Sequence, residues 1–153
     1  MTQFLSATAE QTLELGQQIG KLIKQGMSIA LKGDLGAGKT TFVQGLARGL
    51  KVSEQYYITS PTFSIINEYP SSDMTLCHLD LYRLGSVEEL EYIGFNDLLD
   101  DVHLIVVEWP QLLEQDHFVF DLEIRFTLDE HYNRIIDILA LKEKGKRLLT
   151  ELS

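Results

Sequence analysis

The stretch Gly33-Asp34-Leu35-Gly36-Ala37-Gly38-Lys39-Thr40-Thr41 lies between a strand-like run at 27–32 and a helix-like segment at 40–47. It fills every fixed position of the phosphate-binding loop (P-loop) pattern: Gly, four residues, Gly, Lys, and Ser or Thr. Glycines let such a loop turn its backbone N–H groups toward a phosphate, and the following helix adds the positive end of its dipole. The alternative is a structural glycine turn that contains Lys-Thr by chance. Because the flanking strand and helix are each predicted from their own patterns, we favour a phosphate loop within an α/β fold.

The polar side chains of this loop have distinct expected roles. Lys39 would reach the β- and γ-phosphates, the Thr40 hydroxyl would ligate magnesium, and Thr41 would donate to the α-phosphate. The Asn-Lys-x-Asp motif that recognises guanine is absent, which favours ATP or ADP with Mg²⁺ as the ligands. The predicted nucleotide-binding residues are Gly33, Asp34, Leu35, Gly36, Ala37, Gly38, Lys39, Thr40 and Thr41.

Two acids end strand-like runs and are candidates for magnesium binding and for placing the attacking water. Glu108 follows the apolar run 104–107, and Asp80 follows the run 76–79. An acid at the carboxyl end of a central strand lies beside the phosphates in this fold class. We predict Glu108 as a magnesium ligand, with Asp80 as a second candidate. For each acid the alternative is a solvated residue at a strand end, and His78 alone is better explained as a packed core histidine than as a catalyst.

Two further positions have open interpretations. Ser60-Pro61-Thr62 follows the loop after the P-loop helix, where GTPases place a switch threonine that contacts magnesium. From the spacing alone, a switch role for Thr62 and a position in an ordinary loop are equally supported. Trp109 follows Glu108, and composition alone favours a hydrophobic anchor there.

Periodicity predicts an α/β fold: a single-domain P-loop NTPase fold over residues 1–153, with a mixed parallel/antiparallel sheet flanked by helices. The predicted elements are a short strand at 3–6, a helix capped by Thr8 with Gln11 that ends near Gly26, a strand at 27–32, a helix at 40–47 with Gly49 as its C-cap, a hairpin of strands at 63–69 and 75–80, a short helix capped by Ser86, a buried strand at 103–108, a hairpin of strands at 121–128 and 134–141, and a short basic helix from Gly145.

Composition narrows the function classes. The formal charge of −10 disfavours direct binding to nucleic acid, so any RNA would be held by a partner. Cys77 is the only cysteine and the histidines are not at ligand spacing, so we expect no disulfide, thiolate metal cluster or zinc site. No apolar run is long enough to cross a bilayer, and the first residues are not those of a signal peptide, which predicts a cytoplasmic protein.

Several motifs together resemble the bacterial TsaE family, formerly called YjeE, over about the first three quarters of the chain. The resemblance implies a small magnesium-dependent ATPase needed to make threonylcarbamoyladenosine beside the anticodon of tRNA. It implies action with the TsaD and TsaB proteins, with TsaD performing the transfer and the ATP cycle of TsaE resetting the complex. The matching motifs are 33–41, Ser60-Pro-Thr-Phe63, His78-Leu-Asp-Leu-Tyr-Arg83, Glu88-Glu-Leu-Glu91 with Gly94, and Val107-Glu-Trp-Pro110.

The resemblance also implies roles for individual residues. Thr62 becomes a switch-like contact, and Asp80 and Glu108 lie near magnesium and the attacking water. Phe63 stands where a tyrosine is usual, which keeps the ring and loses a hydroxyl. The predicted catalytic residues are Lys39, Thr62, Asp80 and Glu108. Predicted to face the nucleotide or a partner are Tyr82, Arg83 and Trp109; beyond Pro110 the match is weak, and Glu10 and Tyr132 are candidates for an adenine pocket.

Two other functions stay open. A small-molecule kinase is also a short P-loop protein, although such kinases clamp phosphate with several arginines in a mobile lid. A nucleotide switch that docks on a partner without hydrolysis would suit the acidic surface, while Glu108 argues against it. The arginines are scattered along the chain: Arg48, Arg83, Arg125, Arg134 and Arg147.

Overall fold

The computed structural model describes residues 1–34 and 36–152; Leu35 of the predicted loop and Ser153 lie outside the described residues. The strands are β1 (Thr2–Ser6), β2 (Met27–Gly33), β3 (Ile66–Pro70), β4 (Thr75–Asp80), β5 (His103–Glu108), β6 (Leu122–Leu128) and β7 (Arg134–Ala140). The helices are α1 (Ala9–Leu22), α2 (Lys39–Gly49), α3 (Val87–Tyr92), α4 (Gln111–Gln115) and α5 (Glu143–Leu152), with a 3-10 helix at Phe95–Leu98.

A seven-stranded sheet in the order β1-β7-β6-β2-β5-β4-β3 organises the chain. Strand β2 pairs in parallel with β5 and β6, and β4 pairs in parallel with β5. The two predicted hairpins are confirmed as the antiparallel pairs β3–β4 and β6–β7. The sheet is therefore mixed, as predicted. Strands β2 and β5 lie near its centre, and their sequences are almost continuously apolar because both faces of the sheet are covered there.

Each face of the sheet carries its own apolar core. On one face α1, α2 and α5 cover a cluster that includes Ile29, Leu76, Leu104 and Val106. On the other face α3, the 3-10 helix and α4 cover a cluster that includes Cys77. Side chains alternate between the faces along each strand, so odd and even positions of β4 and β5 belong to different cores.

Helices α1 and α2 pack closely because glycines face each other. A side chain at Gly16 would come within 2.4 Å of the Phe42 carbonyl oxygen, and one at Gly45 within 2.1 Å of the Leu13 carbonyl oxygen. The close approach lets α1 support the P-loop helix along most of its length.

The predicted cap of α1 is confirmed, but the predicted helix ends need correction. Thr8 Oγ1 accepts from the Gln11 backbone N–H at 3.1 Å, and Gln11 Oε1 accepts from Ala7 N at 2.7 Å. Helix α1 ends at Leu22 rather than near Gly26, because the next residue is extended and turns into the core.

The prediction of Gly49 as the C-cap of α2 is wrong. Gly49 is the last residue of the helix and Leu50 is its C-cap. A side chain at Gly49 would come within 2.3 Å of the Gln17 carbonyl oxygen. The left-handed residue follows at Lys51, with φ 65°. Gly49 allows α1 and α2 to pack closely, and the helix is terminated by the residues that follow it.

Three smaller predictions also change. Strand β3 begins at Ile66 rather than Phe63, because the preceding residues form a turn in which Ile65 N donates to Pro61 O at 2.7 Å. Ser86 precedes α3 but makes no capping hydrogen bond through its side chain. Helix α5 begins at Glu143, and α4 and the 3-10 helix were not predicted.

None of the helices in the described ranges combines the length and apolarity that crossing a bilayer requires.

Candidate functional site

The predicted loop connects the carboxyl end of β2 to the first turn of α2. Gly36 and Gly38 have φ 81° and 102°, a region that suits glycine and disfavours side chains. A side chain at Gly38 would also lie 2.8 Å from Arg134 Nε. The first backbone N–H groups of α2 have no acceptor within the helix, so the loop presents donors and a positive dipole end to an anion.

A cavity of about 560 Å³ opens beside this helix terminus, within the range of roughly 300–1,000 Å³ that small-molecule sites occupy. It brings together residues from the P-loop, the loop before β3, and the ends of β4 and β5. Its lining residues are Gly36, Gly38, Lys39, Thr40, Thr41, Ser60, Thr62, Asp80, Tyr82, Glu108, Trp109 and Arg134.

Lys39 is almost fully buried, at 6% exposure, and lies among three partners. Its Nζ donates to the Gly33 carbonyl oxygen at 2.7 Å. The same nitrogen lies 3.7 Å from Glu108 Oε1 and 4.6 Å from the centre of the Trp109 ring. The ammonium charge is thus balanced inside the cavity by groups that a phosphate would replace.

Glu108 is buried and paired with two basic side chains. Its Oε2 accepts from His78 Nε2 at 2.7 Å, and its Oε1 faces Lys39. Burial raises the pKa of this carboxyl, but the hydrogen bond and charge of His78, together with Lys39, outweigh burial and hold the pKa below its ordinary value of 4.5. Glu108 is therefore a carboxylate at neutral pH.

His78 is fully buried, which confirms the expectation of a core histidine. Its position also orients Glu108, because Nε2 holds one carboxylate oxygen while the other turns toward Lys39. Nδ1 of His78 is buried without a hydrogen-bond partner among the described residues. His78 and Asp80 lie on one face of β4 because side chains alternate along a strand, and the pairing of β4 with β5 brings His78 to Glu108.

Asp80 gathers the hydroxyls of the switch-like segment. Its Oδ2 accepts from Thr62 Oγ1 at 3.2 Å and Ser60 Oγ at 3.5 Å, and its Oδ1 accepts from Tyr82 N at 2.9 Å. The backbone N–H of Asp80 donates to Ile65 O at 2.9 Å. The loop that carries Thr62 is thus joined to the strand that carries the acid.

Asp80 and Glu108 are direct partners in the parallel register of β4 and β5, and both are nearly fully buried. Like Thr40, they are among the residues that line the cavity. A hydroxyl and two carboxylates are hard oxygen donors of the kind that Mg²⁺ prefers, and Mg²⁺ retains waters where protein ligands are few. The donor set fits magnesium at the position expected for a nucleotide's phosphates.

Aromatic side chains form the outer wall. Trp109 has φ 57°, an uncommon backbone conformation for a bulky residue, and its ring lies 5.1 Å from that of Tyr82. Such outliers cluster at binding sites, where surrounding contacts enforce them. Arg83 instead lies over the exposed ring of Phe63, 4.2 Å from its centre, and is not among the lining residues.

Arg134 is the lining residue that sequence reasoning missed. It begins β7, and its Nε is buried without a hydrogen-bond partner among the described residues. A buried unpaired guanidinium nitrogen beside Gly38 suits an anionic ligand. No local pattern could have identified it, because its proximity to the loop depends on the pairing of the three strands β7, β6 and β2.

The remaining predicted residues lie at the margin or away from the cavity. Asp34 is exposed and Ala37 is buried, with Ala37 N donating to Asp34 O at 3.1 Å. Glu10 is exposed in the first turn of α1, and Tyr132 is 79% exposed in the turn between β6 and β7. Neither is among the described residues that line the cavity, so the adenine contacts stay a prediction.

Comparison with known proteins gives a consistent family match. A family model described as "Threonylcarbamoyl adenosine biosynthesis protein TsaE" matches residues 6–136. The TsaE protein of Aquifex aeolicus is 35% identical over 88% of this chain and 94% of its own length. That of Nostoc sp. is 52% identical over 72% of this chain and 69% of its own length.

A solved structure is also similar. The crystal structure of Bacillus subtilis YdiB superposes with a TM-score of 0.75 at 29% sequence identity, covering 99% of this chain and 93% of that one. The mixed sheet and its flanking helices are thus shared with a solved protein.

Proposed function

The chain belongs to the TsaE family of tRNA threonylcarbamoyladenosine biosynthesis proteins, and within that family we propose that it is a magnesium-dependent ATPase acting with TsaD and TsaB. One observation carries the proposal: the P-loop, Thr40, Asp80 and Glu108 converge on one cavity at the carboxyl edge of the sheet. That edge is where α/β proteins of this kind bind nucleotides.

Binding of the triphosphate falls to the loop and its two basic neighbours. The backbone of Gly36 and Gly38 and the start of α2 hold the phosphates, and Thr41 donates to the α-phosphate. Lys39 supplies a charge to the β- and γ-phosphates. Arg134 adds a second charge from β7, which gives its buried Nε a partner.

Magnesium binding falls to Thr40 and the paired acids. The ion, when bound with the nucleotide, supplies charge neutralisation at the phosphates. Glu108 is ionised for this role, and Asp80 shares its carboxylate with Thr62, so both acids are available to magnesium and its waters. Thr62 would respond to the γ-phosphate, because its hydroxyl, which now donates to Asp80, could bind the metal or the phosphate instead.

Nucleotide binding and activation of Glu108 are coupled through Lys39. The Lys39 ammonium donates to Gly33 O and faces Glu108 Oε1. When Lys39 turns to a phosphate, Glu108 loses one positive partner and keeps His78. The carboxylate oxygen that is released would then be free to hold the metal or to orient the attacking water.

Partner proteins complete the function. The charge of −10 opposes direct contact with tRNA, so TsaD and TsaB would hold it, and TsaD would perform the transfer. Tyr82, which lines the cavity, is exposed, and so are Arg83 and Phe63, which adjoin the lining residues Tyr82 and Thr62 in the chain. A docked partner that contacts these side chains would sense the nucleotide state. We expect this work to take place in the cytoplasm.

Single-turnover conversion of bound ATP, measured alone and with purified TsaD and TsaB, tests the proposal. We expect slow conversion to ADP and phosphate, accelerated by the partners and lost in Glu108→Ala. ATP that stays intact in every mixture would instead indicate a non-hydrolysing switch. Phosphate transferred to a nucleoside or nucleotide from a panel would indicate a kinase, although Arg134 is the single arginine among the described lining residues.

A further inference from the structure

Three potential metal ligands meet away from the nucleotide cavity, toward the other end of β4 and β5. Glu68 of β3 is the cross-strand partner of Cys77 on β4. Cys77 in turn pairs with Ile105, two residues after His103 on the same face of β5. Sheet register thus brings together an acid, a thiol and an imidazole that are far apart in sequence.

Their ligand atoms are close enough for one ion. One atom from each of Glu68, Cys77 and His103 lies within 4.8 Å of the other two. Cys77 Sγ donates to Glu68 Oε1 at 3.8 Å. Cys77 is fully buried, the His103 side chain is 20% exposed and Glu68 is exposed, so an ion could enter from solvent and reach the thiol.

A fourth residue orients the imidazole. His103 Nδ1 lies 2.7 Å from Asp100 Oδ1, which also accepts from Val102 N at 2.9 Å. Histidines that bind metals usually hand their other ring nitrogen to a carboxylate in this way, which fixes the tautomer and the ring. The Asp100 contact leaves Nε2 of His103 as the nitrogen for a ligand.

We propose that Glu68, Cys77 and His103 form a binding site for a zinc ion. Thiolate, imidazole and carboxylate are the three protein ligands of Zn²⁺, and a tetrahedral ion with three of them takes water as its fourth. The thiolate selects zinc over magnesium and calcium, which prefer oxygen alone. The expected absence of zinc rested on the single cysteine and on the spacing of the histidines along the chain, and neither pattern anticipates residues that the pairing of β3, β4 and β5 brings together.

Without metal, the thiol is an ordinary protonated group. Burial raises the pKa of Cys77 to about 12, with Glu68 and Asp100 contributing. Zinc must therefore displace the thiol proton to solvent as the metal–sulfur bond forms. The carboxylates of Glu68 and Asp100, which favour the protonated thiol, also attract a divalent cation.

The site is separate from the magnesium site proposed above and does not depend on it. Five residue steps of about 3.3 Å place His103 roughly 16 Å along β5 from Glu108. Cys77 also faces the opposite side of the sheet from Asp80. Bound zinc would join the edge strand β3 to the two strands that carry the acids.

Titration of the chelator-treated protein with Co²⁺, followed by competition with Zn²⁺, tests the proposal. Because Cys77 is the sole cysteine, a thiolate-to-cobalt charge-transfer band reports this site even if cobalt also binds at the P-loop. We expect the band to saturate at one ion per chain and to disappear on addition of Zn²⁺.

Variants assign the ligands. Cys77→Ser should abolish the band, and Glu68→Gln and His103→Ala should each weaken cobalt binding at least about tenfold. Asp100→Asn should weaken it about ten- to a hundredfold as a positioning residue, and exposed His131→Ala is the matched control without effect. If Cys77→Ser does not fold, the variants of the two less buried ligands, Glu68→Gln and His103→Ala, test the site. Absence of the band in the native protein, or affinity unchanged in both Glu68→Gln and His103→Ala, would overturn the site.

Discussion

Two regions of the same strand pair, β4 and β5, gather chemically active side chains in different ways. At the carboxyl edge Asp80 and Glu108 face a glycine-rich loop that supplies donors and a cavity. Toward the other end Cys77 and His103 meet Glu68 with no such loop. The first region suits an anionic ligand and a hard cation, and the second suits a borderline cation alone.

The two regions also differ in how firmly their groups are held. Glu108 and Asp80 each keep partners that a nucleotide could replace, namely Lys39 and Thr62. Cys77 and His103 keep carboxylate partners that a metal would retain or share. At the carboxyl edge, the contacts of the acids can be exchanged for contacts with a ligand. At the other end, the contacts of Cys77 and His103 would persist when a metal binds.

Removing the positive charge of Lys39 from the P-loop should have the largest effect on activity. Lys39→Ala should lower ATP turnover about a thousandfold, because a preorganised cation in a buried site has no substitute from solvent. Turnover by the assembled complex with TsaD and TsaB measures this. Lys24→Ala, which changes an exposed lysine, is the control, and a Lys39→Ala variant as active as that control would contradict the role of the loop.

Asp80→Asn should have the next largest effect. The amide oxygen can still accept from Tyr82 N and the amide nitrogen can donate to the Thr62 hydroxyl, but a charge is removed from the cavity lining. Magnesium-dependent turnover should therefore fall about a hundredfold. Titrating Mg²⁺ at fixed ATP measures both the affinity for metal and the rate. A normal magnesium dependence in Asp80→Asn would leave Glu108 as the sole acid at the metal.

Thr62→Ala should have a moderate effect, about tenfold on turnover. A hydrogen bond to a charged group contributes about 1.5 kcal/mol, which corresponds to roughly one factor of ten. Thr62→Ser keeps the hydroxyl and should retain most of the activity. Equal rates in the two variants would show that the hydroxyl takes no part.

Acid titration should reveal the smallest effect, on stability. The pKa of Glu108 in the folded protein lies below its ordinary value of 4.5, so its contribution is present above that value and is lost as pH falls through the lowered pKa. Glu108→Gln should therefore lose less stability than the native protein on acidification. Urea unfolding at a series of pH values gives the two slopes, and parallel slopes would contradict the charge balance at Glu108.

The residues at the carboxyl edge of the sheet could be located from the sequence because each is marked by residues close to it in the chain. The loop from Gly33 to Thr41 is contiguous, and the apolar runs before Asp80 and Glu108 mark them as strand ends. Both hairpins followed from alternation across short polar turns. Physical rules about neighbours in the chain are sufficient for these features.

The features that were missed depend on register between distant strands. Arg134 reaches Gly38 across the sheet, and His78 meets Glu108 because β4 and β5 run parallel in one particular alignment. The Glu68 and Cys77 pair needs the same kind of information. Gly49 was misassigned since a glycine used for helix packing looks the same in sequence as one that ends a helix.

Counting modified tRNA molecules per TsaD–TsaB complex, with ATP and either the native protein or Glu108→Gln, tests most directly whether hydrolysis at the carboxyl edge drives the function. Glutamine keeps the shape and the contact with His78 but cannot act as a carboxylate. We expect many modified tRNAs per complex with the native protein and no more than about one with Glu108→Gln, since the complex would not be reset. Equal multiple turnover with both proteins would contradict a role for ATP hydrolysis at this site.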